Sequence, residues 1–487
     1  MRSNMSLPNK YNPCQIPVVS RRRFLQGLGN GFGTVALASL LQGDGLLAAE
    51  SNGSALAPRP AARPGRAKAI IQLFQNGGVS QMDVFDPKPE LTRRNGEPHP
   101  TDVETFQLGN KNVLLGSPFK FQRHGQSGMD FSELVPHIAT LADDICMVRS
   151  MYTFHNNHPH AMHMMQSGRI FPGFPTLGGW LCYALGSENE NLPGFIVLRD
   201  PAGYSTSGKL LWDNGFMPEL YAGTEFASNG TPVHHLHPPG SVLADARRND
   251  LDLLADLNQI HLSANQGNSE LEARIENYEL AARMQLEAAR AIDISQETAA
   301  TQSLYGLDNP LTANYGKRCL LARRLVEMGV RCVQIFPPLE PSHQPWDNHS
   351  AIEGGLKTIC PRVDQGSAAL VKDLKQRGML DEVMVMWTGE FGRLPITEGV
   401  DGRDHNRHAF SLFMAGGGFQ PGLLYGATDE FGYAAVENRV SVHDLHATML
   451  NQMGLDHTRL SYPHKGRQER LTDPEVTGAR IVDDLLI

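Results

Sequence analysis

Along most of the chain, short apolar runs alternate with longer segments whose apolar residues recur at helical spacing. Lys68 to Gln75 is an apolar run that stops at Asn76-Gly77-Gly78, the pattern of a buried strand and the loop leaving it. Ile145 to Arg149 predicts a second strand. Tyr315, Cys319, Ala322 and Val326 share one helical face, Gly329 closes that helix, and Arg331 to Phe336 reads as the strand that follows. The unit then repeats. Pro361 opens a helix carrying Val363, Leu370, Val371 and Leu374, Gly378 ends it, and Val383 to Trp387 is a continuous apolar strand. Strands apolar on both faces that alternate with helices predict an α/β fold, with a mainly parallel sheet and right-handed crossovers.

Other segments frame this core. Ser441 and Asp444 have the spacing of a capping pair for a helix bearing Val442, Leu445, Met449 and Met453, closed near Gly454. Residues of about 250 to 305 are rich in Ala, Glu, Gln and Arg, with Leu271, Ile275, Tyr278 and Ala282 at helical spacing, and predict an inserted helical hairpin; the heptads are too short for a coiled coil. Asn191 to Gly240, rich in Gly and Pro, reads as long loops over one face.

The N-terminus carries an address. Ser20-Arg21-Arg22-Arg23-Phe24-Leu25 precedes a weakly apolar run from Gly27 to Leu47 and reads as a twin-arginine export signal. The plainer reading is a basic tail before an amphipathic helix. Taken as a signal, residues 1–49 are removed at a cut between Ala48 and Ala57, residues 50–66 are a linker whose part Pro58 to Arg66 is Pro- and Arg-rich, and residues 67–487 form one domain. Export implies the Tat translocase as a partner and a periplasmic or extracellular destination. No segment of the mature chain is apolar enough to span a bilayer. Loss of residues 1–49 takes away five basic residues and one acidic one, so the formal charge moves from −9 to −13, and no basic stripe remains for nucleic acid. Cys146, Cys182, Cys319, Cys332 and Cys360 remain, in no Cys-x-x-Cys metal spacing, and read as small buried apolar residues.

Candidate chemistry lies in stretches that read as loops leaving strands: Trp346-Asp347-Asn348-His349, Thr388-Gly389-Glu390-Phe391-Gly392-Arg393 and Gly402-Arg403-Asp404-His405-Asn406-Arg407-His408. In an open α/β sheet such loops meet at the carboxyl edge. There Asp347, His349 and Glu390 supply oxygens and nitrogen that a divalent ion takes, and His405, with Asp404 beside it, supplies another nitrogen or a supporting partner; for each alone, a helix cap, a buried ion pair or a hydrogen-bonded core histidine is the competing reading. Thr153-Phe154-His155-Asn156-Asn157-His158-Pro159-His160 follows the strand at Ile145. A hydroxyl there, beside a metal and a helix start, suits attack on phosphorus or sulfur: Thr153 is the candidate, Ser150 a competitor, and Asn156 or Asn157 a donor to developing charge. The alternative is that the histidines of this run form a hydrogen-bonded loop, or bind metal without catalysis. Arg393 or Arg403 could clamp an anion, or serve as ion-pair partners.

Thr153-Phe154-His155-Asn156 resembles the Thr-Phe-Pro-Asn nucleophile motif of nucleotide pyrophosphatase/phosphodiesterases, members of the alkaline phosphatase superfamily. Asn76-Gly77, Asp347 with His349, Gly389-Glu390-Phe391-Gly392 and His405 follow that superfamily's order of metal motifs. Almost the whole mature chain also resembles a bacterial family known as domain of unknown function 1501. Its carriers are the run Asn76 to Lys88, Trp346-Asp347-Asn348-His349, Gly389-Glu390-Phe391-Gly392-Arg393, Gly402-Arg403-Asp404-His405 and Ala415-Gly416-Gly417-Gly418. The resemblance implies an alkaline phosphatase-like three-layer sandwich and a divalent metal such as zinc, manganese or calcium. Departures accompany it: Asn76 replaces an aspartate, Glu390-Phe391 replaces Asp-His, and no Cys-x-Pro-x-Arg sulfatase motif occurs. Asp83 or Asp86 could replace the first lost carboxylate. The resulting expectation is a metal-dependent hydrolase of small-molecule or glycan phosphate or sulfate esters, acting through Thr153 or a metal-activated water. The alternative is a non-catalytic relative that binds an anionic glycan or a partner protein.

Overall fold

Strands buried on both faces need cover on both sides, and the sheet shows it. The computed structural model describes residues 56–107, 112–228, 244–265 and 269–487. Among the described residues, nine strands form the main sheet: β1 (Ala69–Phe74), β2 (Ile145–Tyr152), β3 (Phe195–Leu198), β4 (Thr224–Glu225), β5 (Cys332–Ile335), β6 (Val383–Thr388), β7 (Phe410–Ala415), β8 (Leu424–Tyr425) and β9 (Val440–Ser441). Their order is β8-β2-β7-β6-β1-β5-β3-β4, with β9 also paired to β2. Only β7 runs antiparallel to its neighbours, β2 and β6. Every residue of β1, β3, β5, β6 and β7 is buried, so layers cover both faces and the fold is an α/β sandwich.

Register fixes where the loops emerge. Phe74 of β1 pairs with Thr388 of β6, and Leu73 and Leu198 both pair with Ile335 of β5, so these strands end level. Because β7 reverses direction twice over, β2 runs with β6 and ends at the same edge. The loops after β1, β2, β5 and β6 therefore leave together, as the alternating pattern predicts.

The helices follow their sequence signals with one correction. The buried face of α2 (Ala313–Glu327) contains Tyr315, Cys319, Ala322 and Val326, and Gly329 follows with φ +87°. Ser441 and Asp444 form a reciprocal capping box at α4 (Val442–Gln452). However, α3 (Ile352–Gln376) begins before Pro361 and holds it inside. Ile352, Leu356 and Ile359 continue the buried face of Val363, and that burial outweighs the backbone bond proline cannot make. The insertion is two helices, Ala244–Ala264 and Ser269–Ile292; Ile275 is buried, whereas Tyr278 faces outward.

The segment Pro58 to Arg66, expected as a linker, lies on the domain in its described part. Arg59 N–H donates to Leu185 O at 2.9 Å, and the Arg63 guanidinium to Leu455 O at 3.1 Å. Asn191 to Gly240, expected as loops, contributes β3 and β4 to the sheet edge. The twin-arginine motif and the cleavage region up to residue 55 lie outside the described residues. No helix among the described residues is long and apolar enough to cross a membrane. The five cysteines from Cys146 onward are buried and unpaired.

His446 of α4 is fully buried, and its Nε2–H donates to the carbonyl of Met165 at 2.9 Å, tying α4 to α1 (His158–Ser167). Burial, helped by nearby His443, lowers its pKa from 6.5 to about 3. Since the unfolded chain takes up this proton first, its contribution is complete above pH 6.5 and lost as pH falls toward 3. Acidification from about pH 8 to about pH 5 should cost about 2 kcal/mol through this group, so urea titrations should show a shallower pH slope for His446→Gln.

Candidate metal centre

Three connections at the carboxyl edge bring three imidazoles to one carboxylate. Asp347 comes from the loop after β5 and His349 follows it; His158 opens α1 after β2. His405 sits on an antiparallel hairpin, Gly392–Glu398 with Gly402–Asn406, which grows from the end of β6. This corrects the expectation of a loop at Gly402 to Asn406: all five residues are buried in a strand, but their polarity hides it from hydrophobic periodicity.

The Nε2 atoms of His158, His349 and His405 lie 3.2, 2.9 and 3.2 Å from Asp347 Oδ1. Each Nδ1 is committed outward. His158 Nδ1 donates to Glu390 Oε1 at 2.6 Å, His349 Nδ1 to Glu398, and His405 Nδ1 to the carbonyl of Asn156 at 2.6 Å. A carbonyl only accepts, so His405 carries its proton on Nδ1, and the carboxylates favour the same tautomer in the other two rings. With each ring neutral and its proton on Nδ1, the three Nε2 lone pairs would face a carboxylate oxygen, an arrangement that calls for positive charge among them, as a proton or a cation. Arg393 supplies part of it, donating to the same oxygen at 2.6 Å. His158 Nε2 is buried and has no hydrogen bond of its own. The nitrogens and Oδ1 all lie within 4.8 Å of one another. An ion with nitrogen and oxygen ligands fits this donor set.

Burial pushes the Asp347 carboxyl up, but the three imidazoles and Arg393 outweigh it and hold its pKa far below the usual range. Burial lowers His158 and His349, yet Asp347 with Glu390, and Asp347 with Glu398, raise both above the ordinary imidazole value. His405 goes the other way, to about 3, because burial and the positive Arg393 prevail over Asp347. Phe106 stacks on the His405 ring at 4.9 Å, and Asp404 fixes it there by accepting from the backbone N–H groups of Phe106 and Gln107 at 2.6 and 3.0 Å.

The remaining candidates stand around or away from this cluster. Glu390 is fully buried behind His158 and also accepts from Gly77 N–H at 2.9 and 3.1 Å. Gly77, at φ +119°, leaves no room for a side chain: a Cβ would lie 2.8 Å from Asp347 N. Asn76 spends its amide on His343 O and Gln344 Oε1, at 2.9 and 2.7 Å. Asn156 reaches His405 through its carbonyl. Thr153 is buried, and its Oγ1 has no hydrogen-bond partner.

Neither arginine offers an open anion clamp. Arg393 is fully buried and also donates to the carbonyls of Gly77, Gly78 and Arg403. Arg403 and Asp83 form a wholly buried pair at 2.8 Å, apart from the cluster, with Ser80 Oγ donating to Asp83 at 2.5 Å. Asp86 pairs with Lys88 at 3.1 Å. Sequence reasoning had His158 within its histidine run without singling it out, although a histidine opening a helix after a strand was a usable signal; Glu398 carried none.

A family described as a protein of unknown function, DUF1501, matches residues 67–486. The chain belongs to that family. No curated protein matches this DUF1501 chain in sequence. Among solved structures, it is similar to the lipoteichoic acid synthase LtaP from Listeria monocytogenes, at 9% identity over 89% of this chain and 80% of that one, with a TM-score of 0.32. The phosphonate monoester hydrolase SpPMH from Silicibacter pomeroyi is 13% identical over 72% and 73% of the two chains, with a TM-score of 0.31. The PsFucS1 sulfatase from Pseudoalteromonas sp. is 12% identical over 87% and 70%, with a TM-score of 0.33.

Replacing Asp83 by Ala leaves the buried Arg403 charge unpaired, which should cost about 3–5 kcal/mol in denaturant unfolding. Any metal that the wild type binds should stay bound per folded chain in that variant; its loss would return Asp83 to the ligand set.

Proposed function

We propose that this DUF1501 protein is a metal-dependent hydrolase of phosphate or sulfate esters, exported through the Tat translocase to the periplasm or beyond. The observation that carries the reading is the convergence of three Nε2 atoms on Asp347 Oδ1 at the edge where α/β sheets bind ligands. His158, His349, His405 and Asp347 would hold a divalent ion, which when bound polarises an ester oxygen and makes water more acidic.

The protein's own groups divide the rest of the work. Glu390, Glu398 and the Asn156 carbonyl fix the rings so that each presents Nε2. Arg393 locks Asp347, and with Arg403 it acts on protein groups rather than on the substrate. Thr153, whose buried hydroxyl is unspent, is the candidate nucleophile. The substrate class is an anionic small-molecule or glycan ester.

A second reading, a non-catalytic member that binds an anionic glycan or partner protein, draws on Asn76, which provides an amide where the superfamily provides a carboxylate. Elemental analysis of the purified protein beside Asp347→Ala and His405→Ala, together with a screen of aryl phosphates and sulfates, separates the two. The hydrolase reading expects near-stoichiometric metal that both variants lose, and turnover that falls with it; a folded wild type without metal or turnover favours the binder. Glu390→Gln should weaken metal binding by about 10–100-fold. Thr153→Ala should abolish ester turnover while keeping the ion; retained turnover would assign the attack to water.

A further inference from the structure

Resting on the metal-hydrolase reading, we infer that the centre takes a single ion of the imidazole-seeking class, zinc or iron(II), rather than calcium or magnesium, and that the Arg393 guanidinium stands where a second cation would be needed. Three of the four converging donors are imidazole nitrogens. Calcium gathers six to eight oxygens and magnesium keeps a shell of oxygen and water, whereas imidazole suits zinc, iron, copper and nickel. The donor set is therefore too rich in nitrogen, and too poor in oxygen, for the hard ions.

A second group within reach, His349, Glu398 and Asp404, is spent on hydrogen bonds. Glu398 accepts from His349 Nδ1. Asp404 accepts from His405 N–H at 2.7 Å and from the N–H groups of Phe106 and Gln107. Asn76, at the end of β1, carries no charge, and Glu390 is turned toward Gly77 and His158. No free carboxylate is left among these residues to hold a second ion. The positive charge that balances Asp347 comes instead from Arg393, wholly buried, with Nη2 on Asp347 Oδ1 at 2.6 Å. Arg393 lies on the same Oδ1 that the imidazoles surround, and a carboxylate oxygen has two lone pairs, so Asp347 is able to serve Arg393 and one ion together.

The test is titration of the metal-free full-length protein with zinc, cobalt(II), calcium and magnesium, read by calorimetry and elemental analysis, with cobalt(II) absorption reporting nitrogen coordination. The expected result is one zinc or cobalt per chain, a plateau that holds in millimolar excess, and no displacement by calcium or magnesium. His158→Ala, His349→Ala and His405→Ala should each lose at least about 100-fold in affinity, while Asp404→Asn keeps a stoichiometry of one. Arg393→Gln should admit a second, weaker ion; should it not fold, the wild-type plateau and Asp404→Asn decide. Two ions per wild-type chain, equally tight calcium, or no binding by folded protein would overturn the inference. One bound ion without ester turnover would remove the hydrolase reading and leave this inference standing; turnover supported by two ions or by calcium would do the reverse.

Discussion

The guanidinium of Arg393 joins the parts of the centre that come from distant stretches of chain. From inside the protein it reaches the carbonyls of Gly77 and Gly78 after β1, the Asp347 carboxylate after β5, and the carbonyl of Arg403 across its own hairpin. Taking a charge out of water costs several kcal/mol, and only a full set of acceptors offsets it. Arg393 has that set: Nε and both Nη nitrogens are all engaged. The loop geometry around Asp347 is thus dictated from beneath, before any ion is considered.

A second buried pair extends the same construction outward. Arg403, one strand over, bonds Asp83 and the carbonyls of Leu394 and Leu115, so it ties the short helix after Asn76-Gly77-Gly78 to the hairpin that carries His405. Three imidazoles are then held by their outer nitrogens, two by carboxylates and one by a carbonyl. Such support fixes tautomer and ring plane together, and that is what makes three lone pairs converge. The electrostatics are uneven as a result, with His158 and His349 favouring a proton and His405 disfavouring one.

Much of the sheet was legible because its strands are apolar throughout. β1, β2, β5 and β6 were readable as buried strands, the helix on Tyr315 and Cys319 as their crossover, and the capping box from Ser441 and Asp444 alone. What escaped was buried polarity. The strand Gly402 to Asn406 has no apolar residue, yet all of it is inside. The expected clamp of Arg393 and Arg403 and the expected ligand Asp83 rested on residue type; ion pairing gave Arg393 to Asp347 and, across 320 positions, joined Arg403 to Asp83. Pro361 looked like a helix start because its cost is local and visible, while the burial that overrides it is tertiary.

By itself the sequence determined the α/β class, the edge at which the loops meet and the family, because hydrophobic periodicity and long motifs are properties of contiguous chain. The tertiary structure alone decided which groups face one another. It set His158 rather than Glu390 beside Asp347, gave Glu390 and Glu398 to the outer nitrogens of the rings, and closed Arg403 on Asp83. Charges and lone pairs act over a few ångströms of space, and distances of that kind are set by sheet register and packing, not by spacing along the chain.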